Sequence, residues 1–335
     1  MDQRKIYNRT KKTMATHLEK NDPFDDSIFQ NHLPQYYRAI LNDFRKVAKG
    51  YVNFNLLFFA IFAAEICLFF FFLPFWMGSP LFAIALGALF LTCFSYFVLL
   101  FYHQAKKPEQ LIHLRDQFLE SCRQTLSVPA GEAGHHLSIA DALSKLAAYL
   151  QDFEATLYKG PKLFTRWTMR FSSYSYGEDV LKMKLLLLQA SVDEHVRQVR
   201  ITPTDLEVHA SLAGTYVALS KVYKQANQEE KYRMAARLAI EEFSILSHYA
   251  PNDPWVHEQL AIGYHDLGMA EEEMREVETL LKLRASDKEI LYRLGHLYFR
   301  QGMNAKGLKI YEELKKGNFK KAEDLISSYG NFAQK

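Results

Sequence analysis

The sequence predicts an all-α protein, a two-helix transmembrane hairpin followed by an α-solenoid of repeated helix pairs. Three observations predict it. Residues 56–76 and 81–101 are each 21 residues long and predominantly apolar, so at a rise of ~1.5 Å per residue each reaches ~31 Å, the thickness of a hydrocarbon core. From residue 103 onward the apolar positions follow helical spacing, with breaks at Gly160-Pro161, Pro203, Pro251 and Gly302 and no alternating β-branched run. Finally, Leu260, Ala261 and Tyr264 recur 34 residues later as Leu294, Gly295 and Tyr298, and a fixed period of that length marks a repeat architecture.

The hairpin comes first. Of the 25 Phe, 14 fall between Phe54 and Phe101, and residues 51–102 contain no Lys or Arg. Only 77–80 separate the spans, and Pro74, Gly78 and Pro80 favour a tight turn there. Arg38, Arg45, Lys46 and Lys49 precede the first span, and Lys106, Lys107 and Arg115 follow the second. The positive-inside bias then puts both termini in the cytoplasm, at the inner membrane if the chain is bacterial. Trp76 marks the far interface and Tyr51 and Tyr102 the near one. About 50 largely polar residues precede the first span, which argues against a cleaved signal peptide.

Four regions follow: an N-terminal tail (to about residue 30) and juxtamembrane helix over 1–50, the hairpin over 51–102, a helical region over 103–202, and repeats over 203–330. Residues 1–50 carry 10 basic and 6 acidic side chains, and an anionic leaflet attracts such a block. After residue 102 the charges balance at 31 of each sign, which gives nucleic acid no basic surface to bind.

The repeat spacing carries the architecture further. Phe243, Val277 and Tyr311 also recur at 34, and a large apolar, a small and an aromatic residue on one face let a second helix approach closely. This pattern resembles the tetratricopeptide repeat (TPR) family, and the resemblance implies a TPR-like α-solenoid. In its numbering Pro251 closes a unit whose second helix holds Ala239 and Phe243 and whose first holds Leu212, Ala213 and Tyr216. Leu212 precedes Leu260 by 48 residues, so this unit has either longer helices or an inserted turn around "KVYKQANQEEK". Glu273 stands where a small residue is expected, which implies a displaced helix or an outward-turned side chain, and Ala285 stands where Pro is common. "ADALSKLAAYL" and "VLKMKLLLLQASVDEHVRQVRITP" resemble a degenerate further pair, and "GNFKKAEDLISSYG" a terminal cap.

The resemblance implies partner contacts on the first helix of each unit: Trp255, Glu258, Ile262, His265 and Asp266, then Glu289, Tyr292, His296, Phe299 and Arg300. A groove of aromatic, His and mixed-charge side chains suits a protein or peptide segment. The Lys and Asn set with which related repeats hold a chaperone's C-terminal carboxylate is missing, because Ala210, Glu258 and Tyr292 occupy the fifth positions.

Glu65 lies midway through the first span, and its mirror position across the hairpin is Thr92. A charged carboxylate is costly there, so the side chain is expected neutral and bonded to Thr92 or to Ser95 one turn on. "KLFTRWTMRF", 162–171, puts Lys162, Arg166 and Arg170 on one helical face, either against an anionic membrane surface or as the solvated face of a packed helix. Cys67 and Cys93 lie in the spans and Cys122 stands apart, so no disulfide framework is expected. No catalytic, phosphate-binding or metal-ligating motif stands out. The expectation is a non-enzymatic scaffold with no cofactor, which recruits a protein partner to a membrane. The alternative is a membrane-assembly component that pairs with a second copy through its hairpin.

Overall fold

The computed structural model describes residues 27–76, 78–157 and 165–333, and every regular element among them is a helix. The chain is an all-α solenoid fed by a long hairpin. α1 (Ser27–Trp76) and α2 (Pro80–Thr125) are both long and apolar enough to cross a membrane, and none of their apolar windows is buried. Phe59, Phe71, Phe75 and Phe90 are each more than 70 % exposed, far beyond what scattered surface hydrophobics account for. The turn uses Gly78 at φ 92°, a conformation that side-chain-bearing residues rarely adopt. Pro80 opens α2 after the extended Ser79, where its missing N–H costs nothing. α1 runs through Pro74 and ends two residues later.

Both hairpin helices continue well past their apolar windows. Phe29, Leu33, Tyr37, Ile40, Phe44 and Ala48, at steps of three and four, bury one face of α1 in the same cluster as Leu111, Leu114, Phe118 and Cys122 of α2. Tyr37 stacks on Phe118 with ring centroids 5.7 Å apart. Residues 27–30, assigned to the tail by the sequence, thus belong to α1, and Phe29 is 1 % exposed in the core. Residues 27–50 are structural partners of the region after 102.

That core is completed by α3 (His135–Tyr149), the short α4 (Glu154–Leu157) and the long α5 (Thr165–Ile201), through Ile139, Leu143, Leu146, Tyr176, Met183 and Leu187. Of "KLFTRWTMRF", residues 162–164 and 77 of the hairpin loop lie outside the described residues, as do 1–26; residues 165–171 open α5.

The repeats follow as α6 (Leu206–Gln225) with α7 (Glu229–Tyr249), α8 (Pro254–Leu267) with α9 (Ala270–Leu283), and α10 (Lys288–Arg300) with α11 (Asn304–Lys316). α6 and α7 are 20 and 21 residues against 13 or 14 in the later pairs. The 48-residue interval thus comes from longer helices rather than an inserted turn. Asp205, Asp253 and Asp287 cap the first helix of each pair by accepting N–H bonds from Glu207, Trp255 and Glu289. Ala213 and Ala261 are fully buried, and a Cβ on Gly295 would lie 2.8 Å from Leu325. The small positions are thus points of close helix approach. α12 (Ala322–Ala333) closes the stack on α10 and α11.

Candidate functional site

The implied partner-contact residues divide between two environments. On α8, Glu258, Ile262 and His265 follow one another at helical spacing. Ile262 is 40 % exposed, and the Glu258 and His265 side chains are about half open to solvent. Asp266 is exposed, with its carbonyl accepting from Tyr232. Trp255 is half-buried, edge-on to Phe243 at 5.6 Å, so only part of its ring is free.

On α10 the cap helix and the segment before it take the same positions. Tyr292 packs on Phe319, and its hydroxyl lies 3.0 Å from His296 Nε2. Glu289 is bound by Lys321 at 2.8 Å. Burial lowers the His296 pKa against the opposing pull of Asp324. Phe299 corrects the expectation of an outward aromatic: it is 2 % exposed, lies on Tyr329 at 4.9 Å and fills the space where a Cβ on Gly307 would sit. Arg300 remains exposed. The open strip is thus the α8 set with Arg300, while Tyr292, His296 and Phe299 serve the seat of α12.

Glu273 neither turns outward nor lacks partners. It is 1 % exposed, Arg293 Nη2 donates to its Oε1 at 2.7 Å, and His265 Nδ1 lies 3.0 Å from its Oε2. Arg293 also donates to the Ala261 carbonyl at 3.0 Å. One guanidinium therefore links α8, α9 and α10.

In the hairpin, Thr92 Oγ1 of α2 donates to Glu65 Oε1 of α1 at 2.8 Å. Glu65 Oε2 is buried and has no hydrogen-bond partner. Ser95 is half-buried, and among the described residues Glu65 bonds Thr92 rather than Ser95.

Several polar residues of the structure escaped the sequence reading. His209 bonds the Pro203 carbonyl (3.0 Å) and Glu242 (2.6 Å), and His257 repeats this with Pro251 (2.8 Å) and Glu276 (2.6 Å). The signal was present, a Pro followed six residues later by His in both units. Burial opposes a charge on His209, but the bonds to Pro203 and Glu242 outweigh it and hold its pKa above the usual value. Both partners of its ring are acceptors, so both ring nitrogens donate. In the first core Glu194, 2 % exposed, is bound by Arg123 at 2.8 Å and His136 at 2.5 Å. Burial pushes its pKa up, yet those two bonds bring it below the ordinary carboxylate value. Among the described residues no cluster of His, Cys, Asp or Glu could hold a metal ion.

No family model matches the chain, and no curated protein matches it. Solved helical-repeat structures do. A thermophilic TPR protein from Thermus thermophilus is 18 % identical over 70 % of this chain and 94 % of that one, with a TM-score of 0.31. MamA of MSR-1 is 16 % identical over 58 % and 97 %, with a TM-score of 0.30. MamA, residues 41 to the end, from Desulfovibrio magneticus RS-1 is 12 % identical over 65 % and 96 %, also at 0.30. The architecture stands on this chain's own helices.

Proposed function

We propose that the chain is a membrane-anchored adaptor: the hairpin holds it in a bilayer, both ends lie on the cytoplasmic side, and the helical-repeat domain recruits a protein segment. The observation that carries this reading is the continuity of α1 and α2. The same two helices present bare apolar windows at one end and supply the buried core of the helical domain at the other. An anchor built this way has no flexible tether, so it holds the repeats at a set height above the membrane. The α8 strip of Glu258, Ile262, His265 and Asp266, with Trp255 beside it and Arg300 on the next first helix, offers the mixed apolar and charged surface that peptide recognition uses. Enzyme chemistry is no part of this reading.

The second reading, assembly through paired hairpins, draws on Glu65. Its Oε2 has no partner within one chain, whereas its Oε1 is already satisfied by Thr92. The adaptor reading is preferred because the Thr92 bond closes inside a single hairpin.

The test is site-specific photocrosslinking in the full-length, membrane-embedded chain. A photoreactive side chain at 262 or 265 should give a discrete protein adduct that a probe at the exposed Lys309 of α11 does not give. Replacing Ile262 by Glu should abolish it. Equal adducts at all three positions would refute the groove. A reporter inserted at Ser79 should be accessible from outside intact cells while reporters at either end are protected; the opposite pattern would invert the topology.

A further inference from the structure

α7 carries an outer face that the stack does not need. The second helices of the later pairs turn charge to solvent: Glu271, Arg275 and Lys282 on α9, and Lys306, Lys309 and Glu312 around Leu308 on α11. α7 is about two turns longer than either. Along its outer side Met234 is 57 % exposed, Ile245 36 % and Tyr249 58 %, with Leu238 half-buried between them. A shallow groove on this face is lined by Glu230, Arg233, Met234, Arg237, Leu238 and Glu241. The opposite side, with Ala239, Phe243 and Leu246, packs on α6 and α8. Arg233 pairs with Glu229, whereas Arg237 and Glu241 are in no ion pair among the described residues.

Read backwards, this face complements itself. Arg237 and Glu241 stand two residues to either side of Ala239, and Glu230 and His248 nine residues to either side. At ~100° per residue these four lie within about 20° of one line, opposite the buried Ala239. Met234, Leu238 and Ile245 lie to one side of that line. A two-fold axis set over Ala239, normal to a pair of antiparallel helices, keeps that apolar side facing its own copy. It brings Arg237 to Glu241 of the second copy, Glu230 to His248 and Met234 to Ile245, each twice, and Leu238 to its own counterpart.

Paired contacts fix the direction of α7. Lys107 pairs with Asp179 and Arg123 with Glu194, in the same order on both helices, so α5 runs parallel to α2. Gln189 bonds Tyr223 and His195 bonds Ser211, so α6 runs back. His209 bonds Glu242 and Lys224 sits over the Tyr232 ring, so α7 turns again and shares the sense of α2. A copy whose α7 is reversed therefore has its hairpin reversed as well.

We propose that two copies of this chain pair antiparallel through α7, with their hairpins in two facing bilayers, so that the chain ties one membrane to another. The two-bilayer arrangement rests on the hairpin anchoring the chain; the pairing of α7 does not. Glu230 to His248 is 18 residues, a seam of ~27 Å. Such a seam is short for a stable dimer in solution, and many copies on two facing membranes supply the remaining affinity by avidity.

The test uses the full chain with Cys67→Ser and Cys93→Ser, the buried Cys122 being retained, reconstituted into vesicles. One set of vesicles carries Met234→Cys and the other Ile245→Cys, and the mixture is treated with a short bis-maleimide. The expected result is a product joining 234 to 245, none joining 234 to 234 or 245 to 245, and clustering of the vesicles read as energy transfer between lipid dyes in the two sets. Arg237→Glu and Glu241→Arg should each slow clustering about ten-fold. Vesicles bearing one of these variants, mixed with vesicles bearing the other, should cluster as the parent does, because each reversed charge then meets its opposite; that recovery also shows both variants folded. Products joining like positions would mean a parallel pair and overturn the proposal. So would clustering indifferent to both charge reversals, or a 234-to-245 product without clustering. Absence of that product overturns the pairing, and Leu238→Cys unreactive to maleimide in that case shows that another segment of the chain covers α7. Release of the chain by alkaline carbonate overturns the anchor and the two-bilayer arrangement together, and the cross-link then decides the pairing alone.

Discussion

Arg293 on α10 grips Glu273 on α9 through both Nε, at 3.1 Å, and Nη2, at 2.7 Å, on the same carboxylate oxygen. A carboxylate that is 1 % exposed is tolerated only when its desolvation is offset by strong hydrogen bonds, and the rigid guanidinium fork supplies them. Arg293→Ala should therefore destabilise the chain by about 3 kcal/mol, more than Glu273→Ala, which leaves the one-third exposed Arg293 able to reach water. Adding Glu273→Ala to Arg293→Ala should recover part of the loss. Urea titration of the three variants checks the order, and an Arg293→Ala chain as stable as the parent would refute the argument.

Close helix approach at Gly295 and Ala261 gives a packing prediction. Leu at either position forces the Leu325 and Ile310 side chains aside at the first and strains the fully buried contact at the second. A cost of about 1–3 kcal/mol is expected from such overpacking. Thermal melts followed by circular dichroism would show it, and unshifted melts for both would remove these residues from the helix contacts.

Phe299 and Ile262 should behave in opposite ways. Phe299→Ala opens a cavity between Gly307 and Tyr329 and should cost about 3–5 kcal/mol, loosening the cap. Ile262→Ala, at a 40 % exposed site, should change stability by about 0.5 kcal/mol or less. Protection of the α12 amides in hydrogen exchange distinguishes the two variants.

The shared core of residues 27–50 and the region after 102 predicts which fragments fold. Tyr51 and His103 are in ring contact at 5.3 Å, so a short Gly/Ser loop can replace residues 52–102 without disturbing the helices on either side. That protein should be soluble, monomeric and helical. A fragment beginning at 103 lacks Phe29, Tyr37 and Phe44 and should aggregate or melt far earlier. Equal stability of the two would place 27–50 outside the core.

His209 predicts a pH dependence of defined sign. Its folded-state pKa lies above the ordinary histidine value: burial opposes the charge, and the Pro203 carbonyl and Glu242 more than compensate. A raised histidine contributes its full stabilisation below the unfolded pKa of about 6.5 and loses it as pH rises through the folded value. The Tm difference between the parent and His209→Asn should therefore be larger at pH 6 than at pH 8.5. A difference that grows with pH would mean that the ring is neutral in the folded state.

The two apolar helices, the 34-residue period and the small residues at the tight contacts were all legible in the sequence, because each is a local pattern: a run, an interval, a missing side chain. The pairing of Glu65 with Thr92 was open to the same reasoning, since a tight turn sets which residues of two spans face each other. Which surface each patterned residue meets was not. Phe299 occupies a position that faces a groove in the middle of a stack, yet here the stack ends and α12 covers it, so the same residue becomes core. Glu273 breaks the small-residue pattern, and only the arrival of Arg293 from the next pair makes its burial tolerable. Phe29 to Ala48 read as a tail and a juxtamembrane helix because their partners, Leu111 to Cys122 and α5, lie more than 60 residues away in the chain. Sequence spacing determines the face a helix buries. Only the assembled tertiary structure decides what that face is buried against, because the contact energy comes from residues that are distant in the chain and adjacent in space.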